Sequence, residues 1–288
     1  MAETDQEPPF RSIGPAEPAT PIVLSVPHAG RSYSEALLKA ARLSRARLET
    51  LEDRLVDRLV WRAVADGAVA IVADAPRAEI DLNREEGEID PAMIAPPPRS
   101  ADLIQSPRSR GGLGLVPSRI AGSGAIWRQR LPADELERRL ARIYRPFHEA
   151  VAASMAAARG RFGIAILLDC HSMPPRGEAG PEPRIVLGDR HGTSIASWLA
   201  EAAEDAVRGA GFAVARNAPY AGGHITARHG RPAENMHALQ IEIDRSYYLD
   251  PALREPGPNF DKVARLIASV ARAVAASAQE PPIPIAAE

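Results

Sequence analysis

The alternation of strand-like and helix-like segments along this chain predicts a three-layer α/β sandwich. Three observations support it. Short, β-branched apolar runs alternate with Ala-, Leu- and Arg-rich stretches of helical periodicity. The 288 residues are 45% hydrophobic and 25% charged, normal for a soluble globular protein large enough to bury a sizeable core. Between residues 21 and 277 there is no internal repeat and no linker long enough to divide the chain, which predicts a single domain.

Taken in order, residues 1–20 are acidic and Pro-rich and read as a tail, because such a segment buries too little apolar surface to offset its ordering entropy. PIVLSVPH (21–28) is a short strand ending in a Pro-His turn. Residues 35–66 carry helical periodicity, with Leu51, Leu55, Val56, Leu59 and Val60 on the apolar face. AVAIVADA (68–75) is a second strand. Residues 134–159 read as a long amphipathic helix with Asp134 as N-cap and a kink at Pro146. GIAILLDCH (163–171) is the most apolar strand; PRIVLGD (183–189) is another, leading into a helix over 192–209. FAVARN (212–217) and HALQIEID (237–244) are further strands, 259–277 is a closing helix, and 278–288 is a second Pro-rich tail. Residues 92–126 and 172–182, dense in Pro, Gly and polar residues, read as long loops and candidate rims or lids.

Composition excludes several classes. A formal charge of −2 gives no global positive field for nucleic acid. Lys39 and Lys262 are the only lysines, so the basic residues are nearly all Arg. One cysteine, Cys170, excludes an intramolecular disulfide and a cysteine-based zinc cage, and reads as a small buried hydrophobe. The first twenty residues lack a signal-peptide apolar run, and nowhere do about 18 apolar residues run uninterrupted. The expectation is a soluble, cytoplasmic protein with no membrane partner.

Polar groups cluster where apolar strands stop, which in open α/β sheets is the usual place for chemistry. They are His28 in SVPHAG; Arg77, Asp81, Asn83 and Arg84 in RAEIDLNRE; Asp169 and His171 in LLDCHSM; and Gln240, Glu242 and Asp244 in LQIEIDR. A helical segment, LEDRLVDRL, adds Glu52, Asp53 and Asp57. Strand alternation puts Asp169 and His171 on one face and Cys170 on the other. His171 reads either as a metal ligand with Asp169 behind it or as a strand-end cap. Two such histidines plus a carboxylate would make an open zinc site. Glu242, between Ile241 and Ile243, is costly to bury unless paired with an Arg or used as a general base. Arg77 and Arg84 are either surface groups or carboxylate-recognising forks. HExxH, GxSxG and a GK[ST] phosphate loop are all absent, and RGGLGLVPSRIAGSG reads as a flap.

Six stretches, SVPHAGRSY, LEDRLVDRL, RAEIDLNRE, LLDCHSM, YAGGHITARHGRP and HALQIEIDRSYY, resemble in one order the N-formylglutamate amidohydrolase family, itself distantly similar to zinc carboxypeptidases and aspartoacylases. The resemblance implies a three-layer sandwich around a mixed, mostly parallel sheet of zinc-carboxypeptidase (phosphorylase/hydrolase-like) type and one catalytic zinc per chain. It implies His28 and His171 as ligands, Glu242 as general base, Arg77 as the arginine polarising the scissile carbonyl, and Asn83 and Arg84 as the pair holding a substrate carboxylate. The distant relatives carry their acidic ligand three residues after the first histidine, where this chain has Arg31. LEDRLVDRL is the best replacement: Asp53 first, Glu52 second, with Asp57 one helical turn beyond Asp53. The implied activity is hydrolysis of N-formyl-L-glutamate to formate and L-glutamate, a step of histidine catabolism. The alternatives are another N-acyl amino acid, a peptide carboxy terminus, or a non-catalytic binding protein of the same fold.

Overall fold

The computed structural model describes residues 8–176 and 183–280. Its centre is a seven-stranded sheet built from β1 (Phe10–Ile13), β2 (Ile22–Val26), β3 (Val69–Ala73), β4 (Ala165–Met173), β5 (Ile185–Gly188), β6 (Val214–Arg216) and β7 (Met236–Asp244). The strand order is β1-β3-β2-β4-β7-β5-β6. β2 runs parallel to β4, β4 to β7 and β5 to β6, while β5 and β7 are antiparallel, so the sheet is mixed and mostly parallel. Every residue of β4 and β7 is buried, which requires cover on both faces and fits the expected three-layer α/β sandwich.

By its contacts the chain falls into two compact units. One gathers the described residues of Met1–Ser12, Val26–Arg54 and Ile71–Val151; the other gathers those of Ile13–Ser25, Leu55–Ala70 and Ala152–Glu288. In the second unit α3 (Val56–Leu59), α4 (Trp61–Ala65) and α7 (Ser197–Gly209) pack on the closing helix α8 (Phe260–Gln279). Val263, Ile267, Val270 and Val274 recur every three or four residues on α8 and are all buried, the apolar stripe of an amphipathic helix.

Several elements depart from the sequence reading. The expected tail over 1–20 contains β1, whose neighbour in the sheet is β3. The helical stretch 35–66 is broken into α1 (Glu35–Ala40), α2 (Arg45–Leu48), a 3₁₀ turn at Glu49–Leu51, α3 and α4. Two backbone choices break it: Glu52 is extended, with ψ 145, and Leu55 is left-handed at φ 61. Side-chain periodicity does not encode either choice. The expected 134–159 helix starts at Ala133 with Pro132, not Asp134, in the cap position, and runs as α5 (Ala133–Arg139), a π turn (Leu140–Tyr144) and α6 (Arg145–Phe162). Pro146 has no N–H to give the preceding turn, and the Arg145 amide reaches back five residues to Leu140 instead. Loop 92–126 holds single-turn helices and two-residue strand pairs rather than one long coil. Of loop 172–182, Ser172 and Met173 extend β4, and 177–182 lie outside the described residues, as do 281–288 of the closing tail.

Candidate active site

In the first unit the site is built around His28. β2 ends at Val26, and Pro27 turns the chain so that His28 lies two residues past the strand. Gly30 keeps this turn against the chain leaving β3, since a Cβ there would sit 2.0 Å from the Ala75 carbonyl oxygen. The buried His28 ring touches two carboxylates: Nδ1 is 3.3 Å from Asp53 Oδ2, and Nε2 is 2.7 Å from Asp81 Oδ1. The Asp53 amide also donates to the His28 carbonyl at 2.9 Å, so this carboxylate is held by backbone as well as side chain.

The local break in LEDRLVDRL decides which acid faces the imidazole. Glu52 turns the other way and accepts from the Tyr33 hydroxyl at 2.8 Å and from Arg54 at 3.0 Å. Burial raises its carboxyl, against the lowering effects of Tyr33 and Arg54. Asp57 belongs to α3 in the other unit. The left-handed Leu55 between them ends the shared helix face on which Asp53 and Asp57 were expected to lie one turn apart.

RAEIDLNRE forms turns after β3, anchored by buried Ile80 and Leu82 on either side of Asp81. Asp81 has no exposed surface and is the residue whose place in the site went unassigned in the sequence reading. Its carboxylate accepts from the Asn83 amide at 2.9 Å, as in an Asx turn, and from Arg77 Nε at 2.9 Å. Burial alone would raise its carboxyl, but Arg77, Arg84 and His28 hold it well below the usual carboxylate range. Arg77 keeps 18% of its side chain exposed. Arg84 is 4% exposed and donates through Nε to the Leu113 carbonyl at 2.9 Å and through Nη1 to the Asn83 carbonyl at 2.7 Å. Burial lowers its guanidinium pKa, the Asp81 charge opposing that shift.

In the second unit the candidate site residues lie on β4 and β7. Pairing with β7 continues to Met173, so His171 lies inside β4 rather than at its end. Its Nε2 is 2.8 Å from Asp169 Oδ2, the same-face neighbour expected from strand alternation. Glu242 lies directly opposite His171, and Gln240 opposite Asp169. Gln240 Nε2 donates to Glu242 Oε1 at 2.8 Å, while Gln240 Oε1 accepts from the Gly223 amide at 2.8 Å. That amide can reach because Gly188, opposite Gln240 on β5, has no side chain; a Cβ there would meet the Gly222 nitrogen at 2.6 Å. Glu242 is 8% exposed between buried Ile241 and Ile243. Asp244 instead takes hydrogen bonds from Ser246, Arg184 and the Arg176 amide, which occupies it in shaping the strand end. Cys170 is fully buried, and burial pushes its thiol up, as expected of a packing residue rather than a nucleophile.

The chain is similar to several known proteins. The sequence model of the N-formylglutamate amidohydrolase family matches residues 20–249. N-formylglutamate deformylases of Pseudomonas aeruginosa and Pseudomonas putida are each 30% identical, with 80% of this chain and 82% of each relative aligned. The crystal structure of N-formylglutamate amidohydrolase from Ralstonia eutropha JMP134 is similar at 34% identity and TM-score 0.84, over 94% of this chain and 98% of that one. A gene product of Agrobacterium tumefaciens shares the fold, at 19% identity and TM-score 0.63 over 95% and 94% of the two chains.

Proposed function

The chain belongs to the N-formylglutamate amidohydrolase family, and from that premise we propose that it hydrolyses N-formyl-L-glutamate to formate and L-glutamate. One observation carries the hydrolytic reading: each of two buried imidazoles has its Nε2 against a buried carboxylate, His28 on Asp81 and His171 on Asp169. A carboxylate behind a histidine fixes ring orientation and tautomer and raises the basicity of the other nitrogen, the arrangement behind metal-ligating histidines. The second nitrogen of each ring would serve as a ligand atom, and Asp53 Oδ2, already turned to His28 Nδ1, would be the third. Two imidazoles with one carboxylate suit a single zinc with an open position, so His28, Asp53 and His171 would be the residues to hold it. A cation held there would supply Lewis acidity to water and to the formyl group.

The remaining chemistry belongs to the side chains. Glu242 takes a proton from water as it attacks the formyl carbon, then returns one to the departing amine nitrogen as the C–N bond breaks. Gln240 holds Glu242 for this through its 2.8 Å hydrogen bond. Arg77 donates to the formyl oxygen as it gains charge. Asn83 and Arg84 hold a substrate carboxylate, the Arg84 fork being oriented by its bonds to the carbonyls of Leu113 and Asn83.

The test is formate and amine release from metal-replete protein on a panel of N-formyl, N-acetyl and N-succinyl amino acids. N-Formyl-L-glutamate is expected to give the highest kcat/KM. A higher value on an N-acetyl or N-succinyl amino acid would overturn the substrate, and no release from any of them would overturn the hydrolase.

A further inference from the structure

The first unit carries an open pocket of about 1200 Å³, roomy enough for a small molecule and lined by none of the residues assigned above to metal, substrate or proton transfer. Its lining holds eight Lys and Arg against three Asp and Glu, in a chain whose formal net charge is −2. A concave wall of one sign concentrates potential and attracts counter-charge.

The cations are not equivalent. Glu135 is taken by Arg138 and Arg139, and Arg139 also donates to the Glu79 carbonyl at 2.7 Å and lies 5.1 Å over the Trp127 ring. Arg139 is therefore a buried strut. Arg130 and Arg142 are different: both are exposed, and neither makes a hydrogen bond or ion pair among the described residues. Glu79 is the acid whose charge Arg142 feels, and burial raises that carboxyl, Arg139 being the first of the arginines opposing the shift. Trp127, Leu131 and Ile143 are buried apolar residues of the same lining. The π turn Leu140–Tyr144 supplies Arg142 and Ile143 to this wall, and such turns concentrate at functional sites.

We infer that this cavity binds a small organic polyanion at a site separate from the hydrolytic one. An apolar or aromatic body would rest on Trp127, Leu131 and Ile143, and two or more carboxylate or phosphate groups would meet Arg130 and Arg142. Guanidinium groups suit both kinds of anion through paired, charge-assisted hydrogen bonds. Arg31 also lines this cavity.

Isothermal titration of the purified protein tests it, with benzene-1,3,5-tricarboxylate and adenosine 5′-diphosphate as aromatic polyanions and inorganic phosphate as charge without a body. At least one aromatic probe is expected to bind more tightly than phosphate, and to weaken as ionic strength rises. Whichever binds identifies carboxylate or phosphate as the preferred group. The Arg130→Ala/Arg142→Ala double variant should weaken binding about ten-fold or more, the loss expected of bonds to charged groups, and Lys at both positions should recover part of it. The His171→Ala variant, altered at the hydrolytic site, should bind the probe within two-fold of wild type. No binding of either aromatic probe, unchanged binding by the double alanine variant, or loss of binding in His171→Ala would each overturn the inference. None of these readouts uses turnover, so the outcome is independent of the substrate assignment.

Discussion

Nε2 of His28 lies 2.7 Å from Oδ1 of Asp81, with no more than 2% of either side chain exposed. The contact commits one imidazole nitrogen to a carboxylate and directs the other toward Asp53. Asp81 in turn is held by Arg77 and by the Asn83 amide. One buried carboxylate thus links three residues that the family resemblance assigns to metal, carbonyl and substrate.

If Asp81 orients His28, Asp81→Asn should bind zinc about 10–100-fold more weakly while His28→Ala and His171→Ala lose it altogether. Chelator competition and elemental analysis measure both. Wild-type zinc content in either histidine variant would remove that histidine from the ligand set, and wild-type affinity in Asp81→Asn would make its contact a packing feature.

Glu242→Gln should lower kcat by about 10²–10⁴-fold with zinc content unchanged. The amide keeps the volume between Ile241 and Ile243 but cannot accept a proton. Gln240→Ala, which removes the 2.8 Å support, should lower kcat less than Glu242→Gln and leave KM nearly unchanged. Turnover of Glu242→Gln within a few-fold of wild type would reduce Glu242 to a structural role.

For Arg84 the informative comparison is a pair of substrates, the free acid and its carboxyl-blocked amide. A clamp predicts that Arg84→Ala loses about ten- to a hundred-fold in kcat/KM on the acid, from roughly 1.5–3 kcal/mol per charge-assisted bond, and much less on the amide. Arg84→Lys should recover only part, lacking the fork. Equal losses on both substrates would show that its bonds to the Leu113 and Asn83 carbonyls are its whole purpose.

Acid stability has a separate origin. Burial holds the His237 pKa down, to about 4, and its Nδ1 accepts from the Ala196 amide at 3.3 Å. The folded protein keeps this ring neutral while the unfolded chain protonates near the ordinary value of about 6.5. Its contribution is therefore complete above about pH 6.5 and is lost as pH falls toward 4. Denaturant unfolding at pH 7 and pH 5 should show a smaller acid loss for His237→Asn than for wild type. Equal losses would mean that His237 is charged in the folded state.

Much of the fold was legible because the sheet interior speaks through local composition. β4 and β7 are apolar runs buried along their whole length, and both were placed by sequence to within a few residues. What stayed hidden depends on backbone direction or on distant partners. The choice between Glu52 and Asp53 rests on Tyr33 and Arg54 capturing the first and His28 facing the second, and spacing carries none of that. Asp81 stood in a motif rich in charge, so nothing local distinguished a buried partner of His28 from a surface acid. β1 was missed because FRSI is too short and too polar to rise above a Pro-rich background.

Leu55 adopts a conformation that costs an L-residue roughly 1–2 kcal/mol, although its side chain is buried and well packed. The expense falls two residues after Asp53, where a continuous helix would have been the cheaper path. Such a position marks a trade between robustness and reactivity: selection for thermal endurance alone would straighten the segment, and selection for turnover would keep it bent. Thermostabilised descendants obtained without an activity screen should accumulate changes here first, gaining melting temperature as Asp53 leaves its contact with His28.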